Sequence, residues 1–563
     1  MVRADLILTG GKVVTLDRQW QKTQAIAIAG GRILAVGRTG DIAAMAAAKT
    51  TRIDLAGRTA VPGLIDAHAH MDREGLKAKL PSLAGASCID DICQRIEALV
   101  RDAEPGEWIV TMPIGDPPHY TGVPGNLREG RVPNRHELDR VSPDNPVYIR
   151  AIWGHWRNSL PLVSIANSAA LRLAGITRDT LAPSPEIQID RDMASGEPNG
   201  VFHEFDHKPL VEHTLMSVVP RFTLADRIAG LRQSMRIYNS FGTTSVFEGH
   251  GIAAEVLAAY QALRHESTPS VRAHLLFSPS WSSAQTDQVT GLLKSWGAWL
   301  AGRGLGDEYL RVGGLYTESD YSSTNRLRAK TGPYTGWAGF NYDSCLPEDV
   351  MVEMMVEATR NGIRIGSFTP NILDLYEKVD KIVPLAGKRW IIEHMGILDG
   401  DEIARIRDLG IHLTMLTSRY IFQQGAALHR EMGDRAGRIA PLRSLIDAGV
   451  PVALATDNVP PTMFHTMWHA ATRRTEETGQ PFAEQQCISR EEALACASRE
   501  GAYLTFEEDE KGTLEPGKLA DIAVLLDDPL SVDDDRLPGI TADLTLVSGK
   551  IVYDRAEASN AAL

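Results

Sequence analysis

The sequence predicts an α/β protein: a TIM (β/α)8 barrel with a small β-sandwich domain built from both termini. Three observations predict it. Short apolar runs alternate with longer helical patterns from about residue 60 to 505, which favours a parallel sheet. Repeated βα units over that length suit a barrel with insertions. The two ends of the chain resemble each other. ADLILTGGKVVTLD at 4–17 and ADLTLVSGKIVYD at 542–554 each show apolar alternation, a Gly-Lys turn and a β-branched run, which reads as a hairpin. No G-x-G-x-x-G follows the first strand, which weakens a doubly wound dinucleotide-binding sheet.

Taken in order, 1–59 (with QAIAIAGGRILAVG at 24–37) and 512–555 (with KLADIAVLL at 518–526) are β-rich. They are read as one composite β-sandwich domain, and 60–511 as the barrel. Candidate barrel strands are 60–66, 108–112, 146–152, 243–249, 271–277, 310–316, 363–368, 389–394, 411–416 and 451–457. They outnumber the eight a barrel needs, so 108–112 and 271–277 are expected to be peripheral or split elements. Helical patterns cover 222–240, 252–265, 285–301, 347–361, 371–386, 400–409 and 441–448. Insertions fall near 113–146 and 154–221. They have little periodicity and are expected on the rim, shaping the pocket.

Composition narrows the function classes. The 563 residues are 43% hydrophobic and 23% charged, as in soluble globular proteins. A net charge of −14 argues against nucleic acid and anionic membrane as partners, since both need a basic face. Five scattered cysteines do not make a disulfide scaffold and fit a reducing compartment. The N-terminal apolar stretch of about four residues is too short for a signal-peptide core. No apolar run is long enough to span a bilayer. A cytoplasmic protein with a small-molecule substrate is expected.

The residues that carry chemistry sit at strand ends. Gly63-Leu64-Ile65-Asp66-Ala67-His68-Ala69-His70 runs an apolar strand into His-x-His. Residues i and i+2 point to one side of a strand, so two imidazoles are presented together, as a divalent metal requires. Ile391-Ile392-Glu393-His394 ends in a further histidine, and Leu454-Ala455-Thr456-Asp457 in an acid. Such an Asp457 can bind metal and act as general base and acid, or cap the next helix. Val246-Phe247-Glu248-Gly249-His250 offers an acid and a histidine to the same mouth, or to a rim salt bridge.

With these stretches, and with NSAALRLAGIT, DRDMASGEPNGVFHE and EPGKLADIAVLLDDP, the chain resembles the amidohydrolase superfamily along essentially its whole length. More narrowly, it resembles the amidohydrolase-3 group, which includes N-substituted formamide deformylases. The resemblance implies a barrel beside a sandwich and a metal-activated hydroxide in the barrel mouth. It implies that His68 and His70 are first-strand ligands, His394 the histidine after strand six and Asp457 the aspartate after strand eight. Two positions depart from the family. Tyr316 stands where many relatives carry a bridging lysine on strand four, and Ser367 or Phe368 where they carry a histidine after strand five. A lysine-bridged pair of metals is therefore not expected.

The expected centre is one ion held by His68, His70, Asp457 and either His394 or Glu248. Glu318 is a second carboxylate candidate, and His394 has polarising the substrate carbonyl as an alternative role. Zn²⁺ is the expected ion; Mn²⁺, Fe²⁺ and Co²⁺ suit the same donors. Trp153, His155 and Tyr316 are expected to contact substrate. The function this implies is hydrolysis of a linear amide or N-acyl compound, with Asp457 handling the protons. The alternatives are a lyase or hydratase on the same site, or a helper subunit lacking full activity. A homo-oligomer is common among relatives.

Overall fold

The computed structural model describes residues 3–152, 160–281, 286–320, 322–330, 336–337, 339–341 and 344–561. Its centre is a barrel of eight strands, each parallel to the next. They are β1 (Leu64–Asp66), β2 (Thr243–Ile252), β3 (Arg272–Phe277), β4 (Leu310–Tyr316), β5 (Ile365–Ser367), β6 (Ile391–Glu393), β7 (His412–Met415) and β8 (Val452–Leu454). Ala67 N donates to Leu454 O at 3.2 Å and Asp457 N to His68 O at 3.0 Å, joining the last strand to the first. Every residue of β1, β5, β6, β7 and β8 is buried. Parallel strands with both faces covered read as continuous apolar runs, which is why the pattern was visible.

Two expectations about the strands are corrected. Segment 271–277 is β3, inside the barrel, and 146–152 is not a barrel strand. Val147–Ile149 pairs parallel with Ile109–Thr111 and antiparallel with Leu162–Ala166. Both segments are short apolar runs, and a run alone does not say which sheet receives it. The stretch between β1 and β2 is more ordered than its composition suggests. Strands Ile187–Arg191, Pro198–Glu204, Leu162–Ala166, Val147–Ile149 and Ile109–Thr111 form a five-stranded sheet in that order. A capping box, Thr223 with Asp226, then starts helix Leu224–Ser240, which returns the chain to β2. The helical pattern at 371–386 stops at Asp380, because Pro384 has no N–H and restricts the residue before it.

Both termini build a pair of sheets. One runs Arg32–Gly37, Ala25–Ala29, Ala4–Thr9, Ala46–Asp54; the other Lys550–Asp554, Ala542–Val547, Ile522–Leu525, Thr59–Pro62, Lys12–Val14, Lys22–Thr23. Leu8, Ile26 and Ile28 from one share a buried core with Ile522, Val524 and Leu546 from the other. The C-terminal repeat is a hairpin, Val547 opposite Lys550. The N-terminal one is not: Ala4–Thr9 and Lys12–Val14 lie in different sheets. Gly10-Gly11 carry the chain across, and a Cβ on Gly11 would stand 2.5 Å from Arg58 O. Among the described residues no helix is long and apolar enough to cross a membrane.

Candidate metal centre

The site is assembled where β1, β6 and β8 end. Asp66 accepts from His68 N (3.2 Å) and Thr456 N (3.0 Å), and also from the Thr456 hydroxyl. Asn458 does the same one layer out. Its Oδ1 accepts from His70 N at 3.0 Å, and its Nδ2 donates to His70 O at 2.6 Å. The ends of β1 and β8 are thus sewn together before any ligand arrives. His394, Asp457 and Asn458 all hold left-handed backbone, φ 57°, 52° and 61°. Such residues cost about 1–3 kcal/mol each and persist only where the surroundings over-determine them. Here the strain turns the side chains of His394 and Asp457 towards the His-x-His pair.

The donor atoms converge. His394 Nε2 lies 3.1 Å from His68 Nε2, and His70 Nε2 lies 2.8 Å from Asp457 Oδ1. His68, His70 and Asp457 bring one ligand atom each within 4.8 Å of one another, and so do His68, His250 and His394. His68 Nδ1 points the other way, 2.6 Å from Glu393 Oε2, which also accepts from the Thr414 hydroxyl at 2.8 Å. This is the carboxylate–histidine arrangement that fixes a ligand's ring and tautomer.

Burial keeps the imidazoles neutral. The His68 pKa falls to about 4 and that of His394 to about 3, with desolvation the largest cause. His70 and His250 are pushed well below their ordinary value for the same reason. Neutral imidazole is the form that binds metal. Burial raises Glu393 to about 7, against the pull of His394 and Thr414.

A divalent cation fits these residues. His70 Nε2 and Asp457 Oδ1 are close yet make no hydrogen bond with each other, and both are buried without a hydrogen-bond partner among the described residues. Buried polar atoms normally have partners, so donors facing one point in this way call for a cation. Imidazole with carboxylate suits Zn²⁺, Mn²⁺, Fe²⁺ or Co²⁺ alike. A cavity of about 630 Å³ opens onto His250, Glu393, His394 and Asp457.

With this geometry in place, comparison with known proteins decides the family. The model of the amidohydrolase family matches residues 51–553. The chain belongs to the amidohydrolase family. It is 28% identical to N-substituted formamide deformylase of Arthrobacter pascens over 98% of both chains. It is 25% identical to the protein LONG AFTER FAR-RED 3 of Arabidopsis thaliana over 93% of this chain and 87% of that one. Its fold is similar to that of an uncharacterized metal-dependent hydrolase from Pyrococcus horikoshii OT3. The TM-score there is 0.67 over 94% of this chain and 99% of that one, at 19% identity.

In this amidohydrolase the structure brings His68, His70, His394 and Asp457 together. Glu248 stands apart. It lies on β2 and faces His70 Nδ1 at 3.8 Å while Asp457 faces Nε2. Its Oε1 is taken by Met71 N and the Tyr260 hydroxyl. Glu248 therefore stands on the Nδ1 side of His70, where His70, Asp72 and Glu248 bring one ligand atom each within 4.8 Å of one another. Tyr316, expected to contact substrate, is fully buried, gives its hydroxyl to Glu318 at 2.6 Å and is not among the residues that line the cavity. Glu318 is occupied in turn by Tyr316, Lys208 and Asn325. Trp153 and His155 lie outside the described residues.

Sequence reasoning missed Glu393 and Asn458 as site residues. Each adjoins a residue it singled out, but on the opposite side of the strand end. Only the reversed backbone at His394 and Asp457 puts both neighbours into the same centre.

Proposed function

We propose that this amidohydrolase is a metal-dependent hydrolase of carbon–nitrogen bonds, acting on a linear amide or N-acyl compound. The observation that carries the reading is the grouping of His68 and His70 with Asp457, and of His68 with His394, beside a cavity that His394 and Asp457 line. These residues would hold the ion, Zn²⁺ being the first to test. When bound, a divalent ion supplies Lewis-acid chemistry: it makes water nucleophilic near neutral pH and polarises a carbonyl. Asp457 takes the proton from the attacking water and passes it to the departing nitrogen. A C–O bond forms, the C–N bond breaks, and an acid and an amine are released. Glu393 holds the His68 ring in place.

The deformylase relative supports an N-acyl substrate, with formyl as the first acyl group to try. The cavity walls support an apolar substituent on nitrogen: Phe205, Phe340, Phe368 and Tyr420 line it, beside the cation of Lys208.

The test combines elemental analysis of wild type and His68→Ala with a panel of N-formyl and N-acetyl alkyl- and arylamines, read by release of acid and amine. About one ion per chain, lost in the variant, with amine release from at least one compound, is expected. A well-folded wild type that retains no metal would overturn the reading.

A further inference from the structure

The geometry points to His250 as a further metal ligand, supplied by strand two. The inference rests on the metal-dependent reading above. Strands four and five offer no donor of their own. The Tyr316 hydroxyl is turned to Glu318 at 2.6 Å, and Ser367 Oγ to the Thr369 hydroxyl at 3.3 Å. What these strand ends provide instead is a wall. The His250 ring centre lies 4.9 Å from Phe368, 5.2 Å from Tyr316 and 5.4 Å from Phe340. On its other side it lies 4.6 Å from His68 and 5.2 Å from His394. One ligand atom of each of His68, His250 and His394 falls within 4.8 Å of the others.

Neither ring nitrogen of His250 has a hydrogen-bond partner among the described residues, and the side chain is 8% exposed. A neutral imidazole carries one donor and one acceptor, and two packing histidines each partner one ring nitrogen where His250 partners neither. His412 Nδ1 meets Leu413 O at 3.3 Å, and His274 Nε2 meets Arg364 at 2.9 Å. Among the described residues the His250 ring lies against Tyr316, Phe340 and Phe368 and the rings of His68, His70 and His394, with no hydrogen-bond partner for either nitrogen, which is the setting of a ligand.

The backbone is shaped for the purpose. From Glu248 to Ile252 the chain of β2 advances four residues while its partner strand advances two, Leu275 to Phe277. A bulge of this kind re-aims a side chain beside an active site. Glycines flank the re-aimed residue. A Cβ on Gly249 would stand 2.4 Å from His68 Nδ1, and one on Gly251, at φ +68°, 2.8 Å from Tyr316 Cβ. Gly249-His250-Gly251 therefore brings the main chain close enough to insert one imidazole between the aromatic wall and the other donors.

The experiment titrates Co²⁺ into the metal-free full-length protein, for wild type, His250→Phe and His250→Gln, and follows affinity and the visible ligand-field spectrum. His250→Phe keeps the aromatic packing, and His250→Gln restores an oxygen donor. Binding weakened by roughly tenfold to a hundredfold or more in His250→Phe, with a changed spectrum and partial recovery in His250→Gln, is expected. Wild-type affinity and spectrum in both variants would overturn the inference. Should His250→Phe not fold, His250→Gln decides by the same criterion. A wild type that binds no Co²⁺ would overturn the metal-dependent reading itself, so the two failures are told apart.

Discussion

At the residue scale Asp457 stands on the cavity wall 2.8 Å from His70 Nε2, and Glu393 meets the far nitrogen of the His68 ring, Nδ1, at 2.6 Å. Asp457→Asn keeps the shape of the side chain and removes its capacity to take a proton. Turnover on an accepted N-acyl substrate should fall by about 10²–10⁴-fold, with the fold intact by circular dichroism. Glu393→Gln removes the charge behind His68 Nδ1, where the contact is 2.6 Å. Zn²⁺ affinity should drop by about 10–100-fold, and added metal should restore part of the activity. If the variant binds Zn²⁺ as tightly as wild type, Glu393 is only a packing residue. That His68 and His70 lie side by side was legible from an i, i+2 pair at a strand end. Glu393 was not, because the left-handed backbone at His394 leaves no mark in composition.

Elements meet in this protein at glycines, and two of them separate the site from the scaffold. A Cβ on Gly249 would lie 2.4 Å from His68 Nδ1 and 2.6 Å from the Glu393 carboxylate. A Cβ on Gly11 would lie 2.5 Å from Arg58 O and from Leu55 Cβ, where the chain crosses between the terminal sheets. Overpacking costs about 1–3 kcal/mol, so both Gly249→Ala and Gly11→Ala should lower stability by that order in chemical denaturation. Only Gly249→Ala should also weaken metal binding, measured by titration; equal metal affinity in the two variants would contradict the placement. The helices could be read from periodicity, but the terminal elements could not be paired from it. The same apolar-Gly-Lys-apolar pattern makes a hairpin at 542–554 and a sheet crossing at 4–14, because partner strands, not the turn sequence, decide which way the chain goes.

The whole molecule is held by contacts between the barrel and the strands of the C-terminus. Arg272 on β3 grips Asp521 with two hydrogen bonds, 2.7 and 2.9 Å, and reaches Ser548 at 2.7 Å. Both partners of the ion pair are buried. Arg272→Ala leaves the Asp521 charge uncompensated, and a loss of about 3–5 kcal/mol is expected, read as a lowered denaturation midpoint without loss of metal affinity per folded molecule.

Acid should unfold the metal-free protein early. Burial lowers His412 to about 3 and His213 to about 4, against about 6.5 in the unfolded chain. Below about pH 6.5 the unfolded state therefore binds more protons than the native state. The stability these groups contribute is complete above about pH 6.5. It is lost as pH falls towards 4 for His213 and 3 for His412. The thermal midpoint should fall steadily between about pH 7 and pH 5; a flat profile would show that these histidines are solvated.

What the sequence by itself determined is the periodic part of the protein. The βα alternation, the His-x-His at the end of the first strand, and the terminal strands that reveal a barrel beside a sandwich all follow from spacing, which is local. Tertiary structure alone decided which apolar runs close the barrel, that 109–204 forms a sheet of its own, and that Glu248 stands on the Nδ1 side of His70 while His250 faces His68. These depend on which strand lies beside which and on backbone reversals at His394 and Asp457. Both are set by long-range packing, and no window along the chain contains it.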